Sequence, residues 1–186
     1  MAAFVTKGGE VPVIETERLR LRGHRPEDFP DCAAMWADPV VTRYIGGKPL
    51  SEEEAWTRTL RCLGHWAWLG FGYWVVEEKA TGSFAGEMGF SDWKREIEPS
   101  LKGVPEIGWV FATRVHGKGY ATEAARGMID WAFANLKLKR IVATTEYKNE
   151  ASMGVMRRVG MTIERNPYPD PFWLEVVGIL ENPDHR

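Results

Sequence analysis

Residues 113–133, TRVHGKGYATEAARGMIDWAF, pass from two glycines flanking a lysine straight into a helix. The helix is read from spacing. Ala121, Ala124, Ala125, Met128, Ile129, Ala132 and Phe133 form one apolar stripe of period 3.6, from about Tyr120 to Asn135. Stretches rich in β-branched and aromatic residues stand on either side, PEIGWVFA (105–112) and RIVATTE (140–146), and both read as strands. A chain built round strand, tight loop, helix and strand is committed to an α/β organisation.

The remaining segments extend that pattern. RLRLRG (18–23) alternates leucine with arginine as a half-exposed strand does. Pro26 opens a helix through EDFPDCAAMWA that stops before Pro39. SEEEAWTRTLRCLGHWAWL (51–69) is a second helix, with Ser51 and Glu54 at capping-box spacing. GYWVVEE (72–78) and SFAGEMGFSDW (83–93) make an antiparallel hairpin around KATG, and the charged KREIEPSLKG after it reads as a mobile loop. NEASMGVMRRVG (149–160) is a short helix ended by Gly160, and MTIER and FWLEVVGIL close the chain as strands. The order β-α-α-β-β-β-α-β-α-β-β is a single mixed α/β domain over 14–186, after a loose N-terminal tail of residues 1–13.

Composition sets outer bounds. A chain of 186 residues with a net charge of −2 offers no electrostatic case for a nucleic-acid partner. No run of about 18 apolar residues predicts a membrane span. Two cysteines are too few for a disulfide framework, so a reduced, cytoplasmic setting is expected. Cys32 and Cys62 lie on apolar helix faces and read as core. The four histidines lack ligand spacing, and no metal site is expected. Nine tryptophans exceed the needs of one core of this size. They leave room for an aromatic-lined pocket or a self-association surface, and with the latter a homodimer.

Glycines ahead of a helix N-terminus leave backbone N–H groups bare for an anion. A phosphate-binding G-x-x-x-x-G-K-[ST] loop is excluded, because Ala112 stands at the first glycine and Gly119 at the hydroxyl position. A dinucleotide G-x-G-x-x-G/A loop fits at Gly117 and Gly119, but Thr122 fills the third small position and ATRVH separates strand from glycine. The third reading is the pattern R/Q-x-x-G-x-G/A, which Arg114, Gly117 and Gly119 match in register. Successive N–H groups from Val115 to Ala121 would then form an anion nest, and a Cβ at 117 or 119 would obstruct close approach of phosphates. Arg114, His116 and Lys118 add positive charge nearby.

That third pattern is the pyrophosphate loop of the GCN5-related N-acetyltransferases (GNAT). ETERLRLR (15–22), DPVVTRYI (38–45), EIGWVF (106–111), HGKGYATEA (116–124) and NEASMGVMRRVGM (149–161) follow in order. Together they resemble the branch that includes the ribosomal-protein N-terminal alanine acetyltransferases. The resemblance covers about 14–165. It implies the GNAT fold, a central twisted, mostly antiparallel sheet with splayed strands flanked by helices. It also implies direct transfer from acetyl-CoA to a primary amine in a ternary complex.

By the same resemblance, the loop from Arg114 through Val115, His116, Gly117, Lys118, Gly119, Tyr120 and Ala121 holds the pyrophosphate. The strand bearing Trp109, Val110 and Phe111 splays from its neighbour and pairs with the pantetheine arm, and Asn149 bonds that arm. Asn149 also suits an ordinary helix N-cap. Glu106 is the first candidate for general base and Glu87 the second, though both could be solvated strand residues. The tyrosine that many members place seven positions after the asparagine is Met156 here, and Met161 replaces a usual phenylalanine. Ser152 becomes the candidate donor to the leaving thiolate, and a backbone N–H near Val110 or Phe111 the oxyanion donor. The acceptor, a protein N-terminus or a small amine, would lie among the first two helices, the hairpin and the last strands. There the tryptophans suggest an aromatic, mildly acidic cleft suited to a cationic amine. Two other readings stand beside this one: a non-catalytic acyl-CoA-binding module of the same fold, and a dinucleotide-binding oxidoreductase.

Overall fold

The computed structural model describes residues 10–96, 100–165 and 175–184. Of the regions read above, residues 1–9 of the tail, 97–99 of the charged loop and 172–174 of the last strand lie outside it. In chain order the elements are β1 (Ile14–Glu15), β2 (Leu19–Arg22), α1 (Phe29–Trp36), α2 (Pro39–Thr42), α3 (Glu52–Leu69), β3 (Tyr73–Glu78), β4 (Phe84–Ser91) and β5 (Glu106–Phe111). They continue as α4 (Tyr120–Leu136), β6 (Arg140–Thr145), α5 (Glu150–Arg158), β7 (Thr162–Arg165) and β8 (Val176–Glu181).

Local chemistry sets the boundaries. Ser51 Oγ accepts from the Glu54 N–H at 3.2 Å while the Glu54 carboxylate accepts from the Ser51 N–H at 2.8 Å, so the capping box forms. Gly70, at φ 77°, ends α3 in the left-handed conformation. Two short elements went unread in the sequence. β1 has two residues and α2 has four, each too few for any periodicity. Asp38 makes α2 possible by accepting the Val40 N–H at 2.8 Å.

The strands form one sheet in the order β1-β2-β3-β4-β5-β6-β8-β7. Every neighbouring pair is antiparallel except β5 and β6. Strand alternation gives the sheet two apolar faces. On one, Leu19, Leu21, Trp74, Met88, Phe90 and Ile107 pack with the α4 stripe, whose Ala124, Ala125, Met128, Ile129 and Ala132 are buried. Each fully buried Met or Ile side chain contributes about 1.5–3 kcal/mol. On the other face Cys32, Met35 and Trp36 of α1 and Ala55 of α3 cover Val75 and Val110. Trp66, Trp74 and Trp131 form an edge-to-face cluster with centroids 4.6 to 6.1 Å apart. Trp56 and Trp68, 48% and 80% exposed, stay on the α3 surface.

Two glycines shape the middle of the sheet. A Cβ at Gly89 would lie 2.3 Å from the Tyr73 Cα, and one at Gly108 would lie 2.2 Å from the Tyr73 Oη. The Tyr73 phenol therefore crosses β4 at Gly89 and ends over β5 at Gly108. Beyond that point β5 and β6 separate: their parallel pairing consists of Glu106 with Val142.

Candidate functional site

The opening between β5 and β6 exposes backbone. Ala112 N–H donates to Ala85 O at 2.9 Å, and β4 and β5 are paired from Ser91–Glu106 to Gly86–Phe111. In an antiparallel ladder the bonds alternate, so Glu106, Gly108 and Val110 point their N–H and C=O groups at β4. Ile107 points its groups at β6 where the two strands are still paired, and Trp109 and Phe111 point theirs into the opening. The Phe111 carbonyl bonds His116 Nε2 at 2.9 Å.

The glycine loop continues from this edge. After a short turn at Thr113–Val115, Gly117 and Gly119 take φ 77° and 79°. Gly119 is the N-cap of α4 and has no side chain to offer, so the N–H groups of the first turn lack an acceptor within the helix. These groups and the free edge of β5 border one cleft of about 1120 Å³. Trp109, Val110, Phe111, Val115, His116, Gly117, Gly119, Tyr120 and Ala121 line it, and Asn149 and Ser152 close its far side.

Asn149 caps α5 by accepting the Ser152 N–H on Oδ1 at 3.1 Å, which leaves its amide NH₂ to donate elsewhere. Ser152 Oγ accepts from Trp109 Nε1 at 3.2 Å, which leaves the hydroxyl proton available.

Arg114 and Lys118 are placed differently from the rest of their loop. Both turn to Glu78, at 2.6 and 3.4 Å, and neither lines the cleft. Tyr120 Oη also donates to Glu78, at 2.9 Å, and Arg114 donates further to the Phe84 carbonyl. Arg114 thus ties the loop to the hairpin. The hydrogen bonds from Arg114 and Tyr120 pull Glu78 from 4.5 down to about 2. The cations that do line the cleft are Arg18, Arg43, Arg126 and Arg158, which the sequence reading did not single out. Arg126 Nη2 donates to the Arg158 carbonyl at 3.1 Å, and neither guanidinium meets a carboxylate among the described residues. Following the helix one further turn from the nest, Thr122 to Arg126 at four-residue spacing, would have found the first of them. Arg18 bonds Glu123 at 2.6 Å and the Lys118 carbonyl at 3.0 Å, bracing the start of α4.

The two candidate bases lie behind the cleft wall. Glu106, 9% exposed, is bonded by Arg95 Nη1 on both oxygens, at 2.9 and 2.7 Å, and by Thr144 Oγ1 at 2.7 Å. Glu87, 1% exposed, bonds His24 Nε2 and Trp36 Nε1, each at 2.7 Å, with Cys32 Sγ at 3.6 Å. Burial pushes the Glu87 carboxyl up, but the bonds from His24 and Trp36 and the nearby Arg58 outweigh it and hold it below the ordinary carboxylate range. His24, Cys32 and Glu87 bring their ligand-type atoms within 4.8 Å of one another. Burial pushes both thiols up, Cys62 to about 12, consistent with inert core cysteines.

These depressed carboxylates have a stability consequence. A group with its folded pKa below the unfolded one stabilises fully above the unfolded value and loses that contribution as pH falls through the folded value. Urea midpoints are therefore expected to hold steady near neutrality, then fall from about pH 4.5 toward pH 2, with Glu78→Gln removing part of the slope. A midpoint unchanged down to pH 2.5 would contradict this.

Known proteins share this fold. The model of the acetyltransferase (GNAT) domain matches residues 18–162. The uncharacterized N-acetyltransferase YnaD of Bacillus subtilis is 44% identical over 151 residues, covering 81% of this chain and 83% of its own. An acetyltransferase structure from Agrobacterium tumefaciens superposes with a TM-score of 0.80 at 30% identity, covering 93% of this chain and 96% of the other. The ribosomal-protein-S5-alanine acetyltransferase of Vibrio fischeri shares the fold, with a TM-score of 0.69 at 21% identity over 94% of this chain and 99% of its own. The sheet, antiparallel from β1 through β5, is not the parallel one a dinucleotide-binding oxidoreductase requires.

Proposed function

The chain belongs to the GNAT acetyltransferase family, and from that premise we propose that it moves the acetyl group of acetyl-CoA directly onto a primary amine in a ternary complex. One observation carries the choice of cosubstrate: a single cleft joins an uncapped helix start to an unpaired strand edge. The first suits a pyrophosphate and the second an amide-bearing arm. Gly117, Gly119, Tyr120 and Ala121 supply N–H groups, the Lys118 N–H being taken by the Val115 carbonyl at 3.4 Å, and Arg126 and Arg158 offer two charges free of carboxylates to further phosphate. Trp109 presents N–H and C=O to the arm, with the Asn149 NH₂ beside it. Acetyl-CoA, when bound, supplies an activated thioester carbonyl.

The protein's part in the transfer falls to few groups. Phe111 rather than Val110 has the N–H directed into the opening, and it is the oxyanion donor in this reading. Ser152, its oxygen already bonded by Trp109, directs its proton to the sulfur. A thiol titrating near 8.5 needs only modest help to leave. Glu106, next to the point where β5 and β6 part, receives the amine proton through water. Glu87, fully enclosed, is the second choice. An α-amine, titrating near 8, needs less help from a base than an alkyl amine near 10.

Release of CoA thiol, followed with a panel of primary amines, tests the assignment. Ser152→Ala is expected to lower kcat about tenfold or more with the KM for acetyl-CoA changed less than about threefold. Glu106→Gln is expected to slow alkyl amines more than α-amines. Acetyl-CoA binding without thiol release on any amine would instead mark a non-catalytic module of the same fold.

A further inference from the structure

We propose that the acceptor amine carries a carboxylate, held by Arg58 and Arg61 in a cavity beside the cleft; this rests on the acetyl-transfer reading above. Arg58 and Arg61 lie three positions apart on α3 and so share a side. With Trp36, Ile45, Leu50 and Thr57 they line a cavity of about 610 Å³, and Ile45 also lines the cleft. The Arg58 guanidinium lies 3.9 Å from the Trp36 ring centroid and 5.9 Å from that of Tyr73, the phenol that reaches β5 at Gly108. Arg58 thus sits one aromatic ring away from the strand that lines the transfer site.

Neither arginine is paired with the carboxylates of Glu53 and Glu54 that share the cavity. Arg58, Arg61 and Arg95 all surround Trp93, with guanidinium carbons 5.8, 4.4 and 5.8 Å from its centroid. Arg95 is committed to Glu106. Arg58 Nε is buried and has no hydrogen-bond partner, and neither Arg58 nor Arg61 forms an ion pair among the described residues. Glu87 acts on Arg58 only through space, from behind Trp36. Glu53 and Glu54 also line the cavity; Glu54 is engaged by the Ser51 N–H and Lys48, and Glu53 is exposed.

Arg58 is half-buried with its Nε enclosed and unpartnered, a cost that an incoming anion relieves, and the exposed Arg61 adds a second charge from the same side of α3. Their planar forks match a carboxylate in two-point fashion, while Ile45 and Leu50 on the cavity wall offer apolar contact to the rest of the acceptor. This reverses the sequence expectation of a mildly acidic cleft for a cationic amine: a polyamine would meet like charge here.

The test measures kcat/KM for a set of amino acids, their carboxamides and spermidine, alongside the Kd for acetyl-CoA. At least one amino acid is expected to be acetylated tenfold or more efficiently than its amide. Arg61→Gln and Arg58→Gln should each erase that preference, Arg58→Lys should keep part of it, and acetyl-CoA affinity should not change. Arg61 is exposed and its variant reports even if loss of Arg58 from Trp36 unfolds the chain. Three outcomes overturn the proposal while acetyl-CoA still binds: no amino acid is acetylated, amides or spermidine are preferred, or the preference survives Arg61→Gln. Absence of acetyl-CoA binding to the unmodified protein overturns the parent reading and this one with it.

Discussion

Gly117→Asp is expected to weaken acetyl-CoA binding by at least about a hundredfold, or roughly 2.7 kcal/mol, with the melting temperature lowered by no more than about 8 °C. Gly117 sits at φ 77°, and an added Cβ there meets no atom within 4 Å, so the fold tolerates the side chain sterically. Aspartate enters the left-handed region more readily than most residues, at a cost of about 1–2 kcal/mol. Its carboxylate would occupy the concave array of N–H groups that awaits a pyrophosphate. Two unit charges about 4 Å apart repel by about 4 kcal/mol at an effective dielectric near 20, and solvent screening reduces this only in part. Gly117→Asn, of the same shape without the charge, separates backbone strain from repulsion and is expected to bind within about tenfold of the original. Calorimetry and thermal melts together check both. Aspartate binding within threefold of glycine would remove the loop from the phosphate site.

Glu87→Ala is expected to destabilise the fold by about 3–5 kcal/mol, the range for removing one partner of a buried charged network. His24 Nε2 and Trp36 Nε1 would both lose the acceptor they share, in a place water does not reach. His24 Nδ1 already has no partner, which leaves the ring little alternative. Glu87→Gln keeps an acceptor oxygen and is expected to cost about 1–3 kcal/mol. The glutamine variant therefore folds well enough for kinetics. Unchanged kcat at reduced urea midpoint assigns Glu87 to positioning Trp36 and His24, whereas a collapse of kcat at preserved stability makes it the base. A loss under 1 kcal/mol for the alanine variant would contradict the buried network.

The features legible from sequence are those that repeat locally. The Ser51–Glu54 box, the α4 stripe and the glycines at 117 and 119 each depend on residues within a turn or two, and all three appear where spacing puts them. Ser152 and Trp109 come together because a helix cap and a splayed strand face each other, a contact the sequence reading did not name. What stayed hidden depends on partners far along the chain. Arg114 and Lys118 look like phosphate ligands in a linear reading, yet Glu78, 36 and 40 residues earlier, draws them away. The charge that borders the cleft comes instead from Arg126 and Arg158, on two helices whose approach no local pattern announces. Arg58 and Arg61 carry a similar lesson: within α3 they read as an exposed face, and only folding brings Trp36 and Trp93 against them.

Calorimetric titration with acetyl-CoA, with NADH as control, tests the central claim most directly. The cleft predicts saturable binding of one acetyl-CoA per chain, no heat from NADH, and loss of the acetyl-CoA signal in Gly117→Asp. Absence of acetyl-CoA binding, or equal binding of NADH, would contradict it and return the 113–121 loop to a plain helix-initiating turn.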